Sequence, residues 1–163
     1  MKTNVAAHLK FSYKIGEKAY VLDVAADIKI DPQDLNAEFT RQPGLRAYYA
    51  MRYREVERRL EMMEDEFEAW LSSEKNKVRV QLAGGPKPSE GAILDVIREQ
   101  PEWVERRKVI SGVRFVMNTL KDFNTGFEDK SRMLYAWAWT IREVERENRE
   151  PRVVDRSRIF AHE

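Results

Sequence analysis

The clearest pattern in the chain is an apolar seam between residues 109 and 144. Its members recur at steps of four and three, and the charged Lys130 alone interrupts the series. They are Val109, Val113, Val116, Leu120, Phe123, Phe127, Leu134, Trp137, Ile141 and Val144. Such steps place side chains along one side of an α-helix. The pattern therefore predicts one long helix, from Pro101 to about Asn148, that buries this seam against a partner.

A period-two pattern distinguishes residues 8–28 from the rest. Apolar and polar residues alternate from Leu9 to Ile15 and again from Tyr20 to Val24, on either side of a turn at Gly16. Alternation around a glycine-containing turn is typical of a β-hairpin. Because an isolated hairpin is only marginally stable in water, we expect this one to pack on the helices or to pair with a second chain.

Proline, glycine and capping residues divide the following stretch into two helices. Asp31-Pro32 suits the start of a short helix, which should end before Pro43 because the residue before a proline avoids the α conformation. A second helix is predicted from Pro43 to about Leu82, where Gly84-Gly85-Pro86 ends it. Its apolar seam comprises Leu45, Tyr49, Val56, Leu60, Met63, Phe67 and Trp70, with Arg52 in one slot.

A short helix capped by Ser89 should connect the two long ones. The predicted fold is mainly α: an antiparallel long-helix hairpin with a short connecting helix and a small N-terminal β-hairpin. We divide the chain into an N-terminal β-hairpin extension (1–30), a helical hairpin domain (31–150) and a C-terminal tail (151–163). The tail is either a docked arm or frayed.

Composition restricts the partners. Of 163 residues, 35% are charged, which is typical of long solvated helices, and the formal net charge is +1. No global field therefore attracts nucleic acid or membrane, and such a partner must meet a local patch. The first residues lack the apolar run of a signal peptide, and no segment approaches the length of a membrane span. We expect a soluble, intracellular protein without a membrane partner.

The sequence offers no catalytic grouping, so we expect a protein that is not an enzyme and uses no metal or cofactor. There is no cysteine, and the two histidines, His8 and His162, lie near opposite ends. Gly84-Gly85 lacks the lysine and hydroxyl residue of a phosphate-binding loop. Glu61 and Asp65 share a helix face, but no Glu-x-x-His motif accompanies them. A solvated helix face is the better interpretation of these carboxylates.

Two stretches carry basic residues without an intervening acid. The first surrounds the end of the second helix and contains Lys75, Lys77, Arg79 and Lys87. The second, from Arg41 to Arg54, contains the candidate DNA-binding residues Arg46, Arg52, Arg54, Tyr48 and Tyr53, together with Tyr49. Basic groups that follow phosphates, with aromatic rings that stack on bases, are characteristic of single-strand binding. The alternative is that the basic groups are ordinary helix-surface residues and that the tyrosines belong to the core.

From Asp31 to about Val144 the chain resembles phage recombination mediators of the UvsY type. The resemblance lies in the order of short motifs. These are Asp31-Pro32 with Leu35 and Phe39, Gln42-Pro43 with Tyr48-Tyr49, Lys77 with Arg79, Ser89-Glu90, Pro101-Glu102, and Arg132 with Met133-Leu134. The N-terminal hairpin and the tail beyond Pro151 depart from the family pattern.

The resemblance implies an accessory factor that binds single-stranded DNA as a ring-like homo-oligomer. It implies two protein partners, a recombinase that is loaded onto the strand and the single-strand-binding protein that covers it, in the cytoplasm of a host cell. Lys77 and Arg79 would contact the DNA backbone. The alternative is a helical adaptor, virion component or inhibitor that acts only through protein contacts. In either case the wide apolar face, with Phe123, Phe127, Leu134, Trp137 and Ile141 as its packing seam, favours a homo-oligomer.

Overall fold

Two long antiparallel helices form a hairpin, and a small β-hairpin packs along them. The computed structural model describes residues 10–85 and 87–149, with side chains as far as 148. In chain order the elements are β1 (Lys10–Ile15), β2 (Lys18–Asp23), α1 (Val24–Ile28), α2 (Leu35–Gln81), α3 (Glu90–Arg98) and α4 (Pro101–Arg149). This architecture confirms the predicted fold class. The predicted tail and both histidines lie outside the described residues.

The β-hairpin is joined by a two-residue turn. Ile15 pairs with Lys18, and Gly16 has a φ of 58°, a left-handed conformation that glycine adopts without steric cost. Strand β2 ends one residue earlier than the alternation predicts, because the Asp23 side chain accepts a hydrogen bond from the Ala26 amide and starts α1. Val24 therefore begins a helix, and the prediction that it continues the strand is wrong.

The β-hairpin contributes to the main core. Its buried side chains, with the first residue of α1, pack against both long helices, so this hairpin packs on the helices of its own chain. The buried members of this cluster are Tyr13, Leu22, Val24, Tyr49, Val56, Leu120 and Phe127. A second cluster lies toward α3 and comprises Leu60, Phe67, Leu71, Val78, Ile93, Ile97 and Ile110.

Helix α2 runs without interruption through Pro43, so the predicted separate helix ending before Pro43 is wrong. The cap is Asp34 rather than Asp31, and its side chain accepts a hydrogen bond from the Ala37 amide. An interior proline removes one backbone hydrogen bond and costs about 3 kcal/mol. Tertiary contacts offset this cost, because the side-chain amide of Gln42 donates to the Phe127 carbonyl at 2.8 Å and to the Ser131 hydroxyl at 3.0 Å.

The predicted boundaries at the other end of the hairpin are confirmed. Helix α2 ends at Gln81, before the glycine pair, and α3 begins with Ser89 as its N-cap. The Ser89 hydroxyl accepts a hydrogen bond from the Ala92 amide at 3.2 Å. Helix α4 starts at Pro101 and remains helical to Arg149.

The seam of α4 is buried over only part of its length. Leu120, Phe127 and Leu134 are buried, whereas Trp137 is 40% exposed and Ile141 is 45% exposed. The reason is geometric: α2 begins at Leu35, and α4 continues past this point. Within one chain the seam is therefore covered along its middle and stays exposed at its last two turns and at Val109.

Lys130 lies at a seam position of α4 and is a buried charged residue. Its side chain is 1% exposed, and its ammonium group donates to the carbonyls of Asp27 and Lys29, each at 2.9 Å. It also forms an ion pair with Glu38 at 2.6 Å. The charged residue that interrupts the apolar pattern thus joins α1, α2 and α4.

In the described part of the chain, no helix combines the length and the apolar character that a membrane span requires.

Candidate functional site

The first candidate surface is the basic tip, which we define as Lys75, Lys77, Arg79 and Lys87. Three of these residues project from the last two turns of α2, and Lys87 lies between α2 and α3. The Lys77 side chain is 63% exposed and the Arg79 side chain is 47% exposed. The end of the helical hairpin therefore presents these residues to solvent from a rigid support.

Acids that flank the basic stretch in sequence pair with three of the four residues. Lys77 forms an ion pair with Glu74 at 2.6 Å, Arg79 pairs with Glu90, and Lys75 lies 4.0 Å from Glu90. No ion pair involves Lys87 within the described residues. The stretch is free of acids along the chain, but the helical turn and the start of α3 bring Glu74 and Glu90 to it.

These contacts shift the pKa values of charged groups at the basic tip. The hydrogen bond from Lys77 lowers the pKa of Glu74, and the same bond raises the pKa of Lys77. The hydrogen bond from Arg79 lowers the pKa of Glu90. All these groups are charged at neutral pH. The Arg79–Glu90 pair is exposed, and such pairs are weak, so an incoming anion can displace Glu90. Glu74 is largely buried and also accepts a hydrogen bond from Gln100, so it stays beside Lys77.

Two arginines of the second basic stretch, Arg52 and Arg46, are engaged in contacts with other elements of the fold. The Arg52 guanidinium lies 4.8 Å from the Tyr20 ring centroid and 5.1 Å from that of Tyr48, and it pairs with Glu55 at 2.7 Å. Arg46 pairs with Glu128 at 2.9 Å. These contacts hold the β-hairpin and α4 against α2.

The tyrosines of this stretch have separate roles. Tyr49 is fully buried and donates a hydrogen bond to Asp27 at 3.0 Å. Tyr53 donates to Glu57 at 2.9 Å, whereas Tyr48 is partly exposed. Arg54 is exposed and forms no ion pair in the part of the chain that the structure describes. The stretch therefore does not present one continuous row of rings and guanidinium groups.

A second surface lies at the opposite end of the molecule, which we call the open end. Large apolar side chains are exposed there along the last third of α4. They are Met133, Tyr135, Trp137, Trp139, Ile141 and Val144. The Phe39 and Tyr135 rings meet edge-on at 5.8 Å, with a groove of about 930 Å³ on one side and one of about 430 Å³ on the other. Contiguous exposed apolar surface is characteristic of protein interaction sites.

Sequence reasoning missed an aromatic cluster next to the tip. Trp70, Trp103 and Phe67 lie with ring centroids 5.0 to 6.3 Å apart, and Arg106 lies over the Trp70 ring. The available signal was the pair Trp103 and Arg106 at the start of the helix that follows the break. Among the described residues, no three His, Asp or Glu side chains converge in a way that would hold a metal ion.

No protein-family model, curated protein or solved structure matches this chain.

Proposed function

We propose that the protein is a non-enzymatic, single-stranded DNA-binding factor that acts as a recombination mediator and uses the basic tip to hold the DNA backbone. The observation that carries the proposal is the location of Lys75, Lys77, Arg79 and Lys87 at one end of a rigid helical hairpin, in the last two turns of α2 and the segment that follows. Loops and helix ends held by a rigid scaffold commonly carry binding groups. The resemblance of residues 31–144 to UvsY-type mediators adds a recombinase and a single-strand-binding protein as the partners in this proposal.

The ion pairs at the tip are compatible with phosphate binding. Glu74 and Glu90 present carboxylate oxygens to Lys77 and Arg79, and a phosphate oxygen can take the position of the Glu90 oxygen. Because the Arg79–Glu90 pair is exposed, exchange of that carboxylate for a phosphate costs little. The exposed Lys77 ammonium can add a phosphate contact while Glu74 stays in place. The acids lower the net charge of the tip, so we expect moderate affinity with a strong dependence on salt.

The test is the double substitution Lys77→Ala and Arg79→Ala. Each phosphate neutralised on a single strand contributes about 0.7 to the slope of log affinity against log salt concentration. We expect the variant to bind labelled oligo(dT) more weakly and to flatten that slope by about 1.4. The loss should be similar for dT, dA and mixed strands, because backbone contacts do not read sequence.

A matched control removes the same charge elsewhere. Lys121→Ala with Arg142→Ala takes two exposed positive side chains from α4, away from the tip. The control should keep wild-type affinity and slope. If the tip variant also keeps both, the tip is not the DNA site, and the stretch from Arg41 to Arg54 becomes the next candidate. If the wild-type protein does not bind oligo(dT), the mediator proposal is wrong.

The open end supports a second candidate function, that of an adaptor acting through protein contacts alone. Its exposed side chains include Trp139 at 67% and Tyr135 at 71% exposure. An adaptor of this kind would bind no oligo(dT) at physiological salt, and substitutions at the basic tip would leave its interactions unchanged. The same titration therefore distinguishes the two functions.

A further inference from the structure

A tryptophan platform lies beside the basic tip; we define it as Trp70, Trp103 and Arg106. The two indole rings lie 6.3 Å apart at 42°, and the Arg106 guanidinium lies 5.1 Å from the centre of the Trp70 ring. Both rings are partly exposed, and Phe67 packs beneath them with centroids 5.0 and 5.7 Å away. The core thus holds the rings in place while they remain open to solvent.

The platform is continuous with the tip. Trp70, Glu74 and Lys77 follow one another at steps of four and three, which place them on one stripe of α2. Across from them, Gln100 donates to Glu74 at 3.4 Å. Arg106 pairs with Glu102 at 2.7 Å. A strand held at Lys77 therefore reaches the platform within about 10 Å along the helix axis.

We propose that Trp70 and Trp103, together with the Arg106 guanidinium, form a base-stacking site for single-stranded DNA. This inference rests on the proposed function, since it extends the same DNA path from phosphates to bases. Aromatic rings and arginine planes are the groups on which unpaired bases stack. The rings are already ordered by Phe67, so binding loses little side-chain freedom.

The surrounding charges favour bases over phosphates at the platform. Glu74 and Glu102 lie along it and already pair with Lys77 and Arg106. These cations are therefore engaged with carboxylates, whereas a neutral base needs no charged partner to stack. A cleft of about 200 Å³ adjoins Arg106, with an apolar wall of Met63, Phe67, Val109 and Ile110 and with Glu66 and Glu105 at its edge. The platform therefore complements the tip: the tip binds the backbone, and the platform binds the flat faces of the bases.

Intrinsic fluorescence tests the proposal. The chain has four tryptophans, and the other two, Trp137 and Trp139, are exposed at the open end. In a Trp137→Phe, Trp139→Phe background, the emission comes from the platform alone. We expect added oligo(dT) to quench this emission in step with the rise in anisotropy of a labelled strand. An abasic strand of equal length should bind more weakly and leave the emission unchanged.

Substitution of the platform supplies the second measurement. Trp70→Leu in the wild-type chain keeps apolar bulk but removes the indole, and it should weaken oligo(dT) binding roughly 5- to 150-fold. The salt slope should stay at its wild-type value, because no phosphate contact is lost. The control, Phe115→Leu, removes an exposed aromatic ring from α4 outside both the platform and the open end and should leave affinity and slope unaltered.

The outcomes separate this inference from the proposed function. Binding without quenching, or equal affinity for the abasic strand, overturns the platform but leaves the basic tip in place. A Trp70→Leu variant that folds and binds as the wild type does also overturns it. Absence of any binding to oligo(dT) removes the proposed function, and the platform with it. Because the abasic comparison uses unaltered Trp70, it decides the question even if the variant does not fold.

Discussion

Lys130 illustrates how one residue can connect three elements. Its ammonium group has three oxygen partners: the carbonyls of Asp27 and Lys29 and the carboxylate of Glu38. A buried charge is tolerated only when it is paired and hydrogen-bonded, and this geometry meets that requirement. The contacts fix the end of α1 and the first turn of α2 onto α4.

Substitution of Lys130 should be strongly destabilising. Lys130→Met removes one partner of a buried ion pair and leaves the Glu38 carboxylate without compensation, at an expected cost of about 3–5 kcal/mol in the free energy of unfolding. Urea denaturation measures this cost. Lys121→Met, on an exposed position of the same helix, should change stability by less than about 0.5 kcal/mol. Equal stability of the two variants would contradict the structural role of Lys130.

Glu90 restrains the basic tip at neutral pH. The Arg79 contact holds the pKa of Glu90 below its ordinary value of 4.5, so the carboxylate is charged and competes with phosphate for Arg79. Glu90→Gln should therefore strengthen oligo(dT) binding at pH 7, as measured by anisotropy. The matched change Asp129→Asn removes an exposed acid from α4 and should have little effect.

The pH dependence of the same contact has a definite sign. A carboxyl with a lowered pKa in the folded state stabilises the fold above pH 4.5, and this contribution is lost as pH falls through the lowered pKa. Protonation of Glu90 also releases Arg79. Affinity for oligo(dT) should thus rise as pH falls below 4.5, with a smaller rise in Glu90→Gln. A larger rise in the variant would contradict this assignment.

At the scale of elements, α4 contains two glycines with different surroundings. A Cβ added at Gly126 would lie 3.1 Å from the end of the Ile28 side chain, whereas a Cβ at Gly112 would meet nothing within 4 Å. Gly126 therefore lets α1 approach α4 closely. No such packing reason applies to Gly112, where the main consequence of glycine is a loss of helix propensity.

These different surroundings predict different changes in the free energy of unfolding for an alanine at each position. Gly112→Ala should raise the free energy of unfolding by about 0.5–1 kcal/mol, because alanine has less backbone freedom to lose. Gly126→Ala should gain less than this or lose stability, because Ile28 must move to admit the methyl group. Thermal unfolding of both variants provides the comparison. A greater gain at Gly126 would show that α1 does not pack closely there.

At the scale of the whole molecule, the two ends of the hairpin differ in character. The basic tip and the tryptophan platform lie where α2, α3 and α4 meet, and the open end carries exposed apolar side chains. We propose that the open end joins copies of the chain. Burial of Trp137, Ile141 and Val144 against a second copy would complete the seam that α2 leaves uncovered.

Light scattering tests this assembly. The wild-type protein at micromolar concentration should have a mass above the 19.3 kDa of one chain. Trp139→Asp should reduce the mass toward that of a monomer, because a charge at this exposed position opposes apolar contact while leaving the core intact. The change Val104→Asp, at an exposed apolar residue near the other end of α4, is the control. A monodisperse wild-type monomer would contradict the proposal.

The separation of the two ends has a functional consequence under this proposal. Helix α4 has 49 residues, so its ends lie about 70 Å apart. DNA contacts at one end and subunit contacts at the other would not compete for the same surface. Substitutions at the basic tip should then leave the mass unchanged.

Local patterns were sufficient to predict most of the fold. The seam at steps of four and three predicted α4, the alternation around Gly16 predicted the β-hairpin, and Ser89 marked the start of α3. Each signal depends on residues within a few turns of one another, and backbone geometry translates such spacing directly into structure. The location of the basic tip at one end of the hairpin followed in the same way, because its four residues are close in sequence.

Contacts between distant segments decided the remainder. Pro43 lies inside a helix because Gln42 binds α4, 85 residues away, and Lys130 is buried because Glu38 and α1 meet it. The pairing of Arg79 with Glu90 and the clustering of Trp70 with Trp103 also depend on how the chain returns after the break at residues 82–89. The sequence by itself therefore determined the β-hairpin, the end of α2, α3, α4 and the basic stretch. Only the tertiary structure decided which charges are paired, which aromatic rings meet and which part of the seam stays exposed, because these depend on the packing of side chains far apart in the chain.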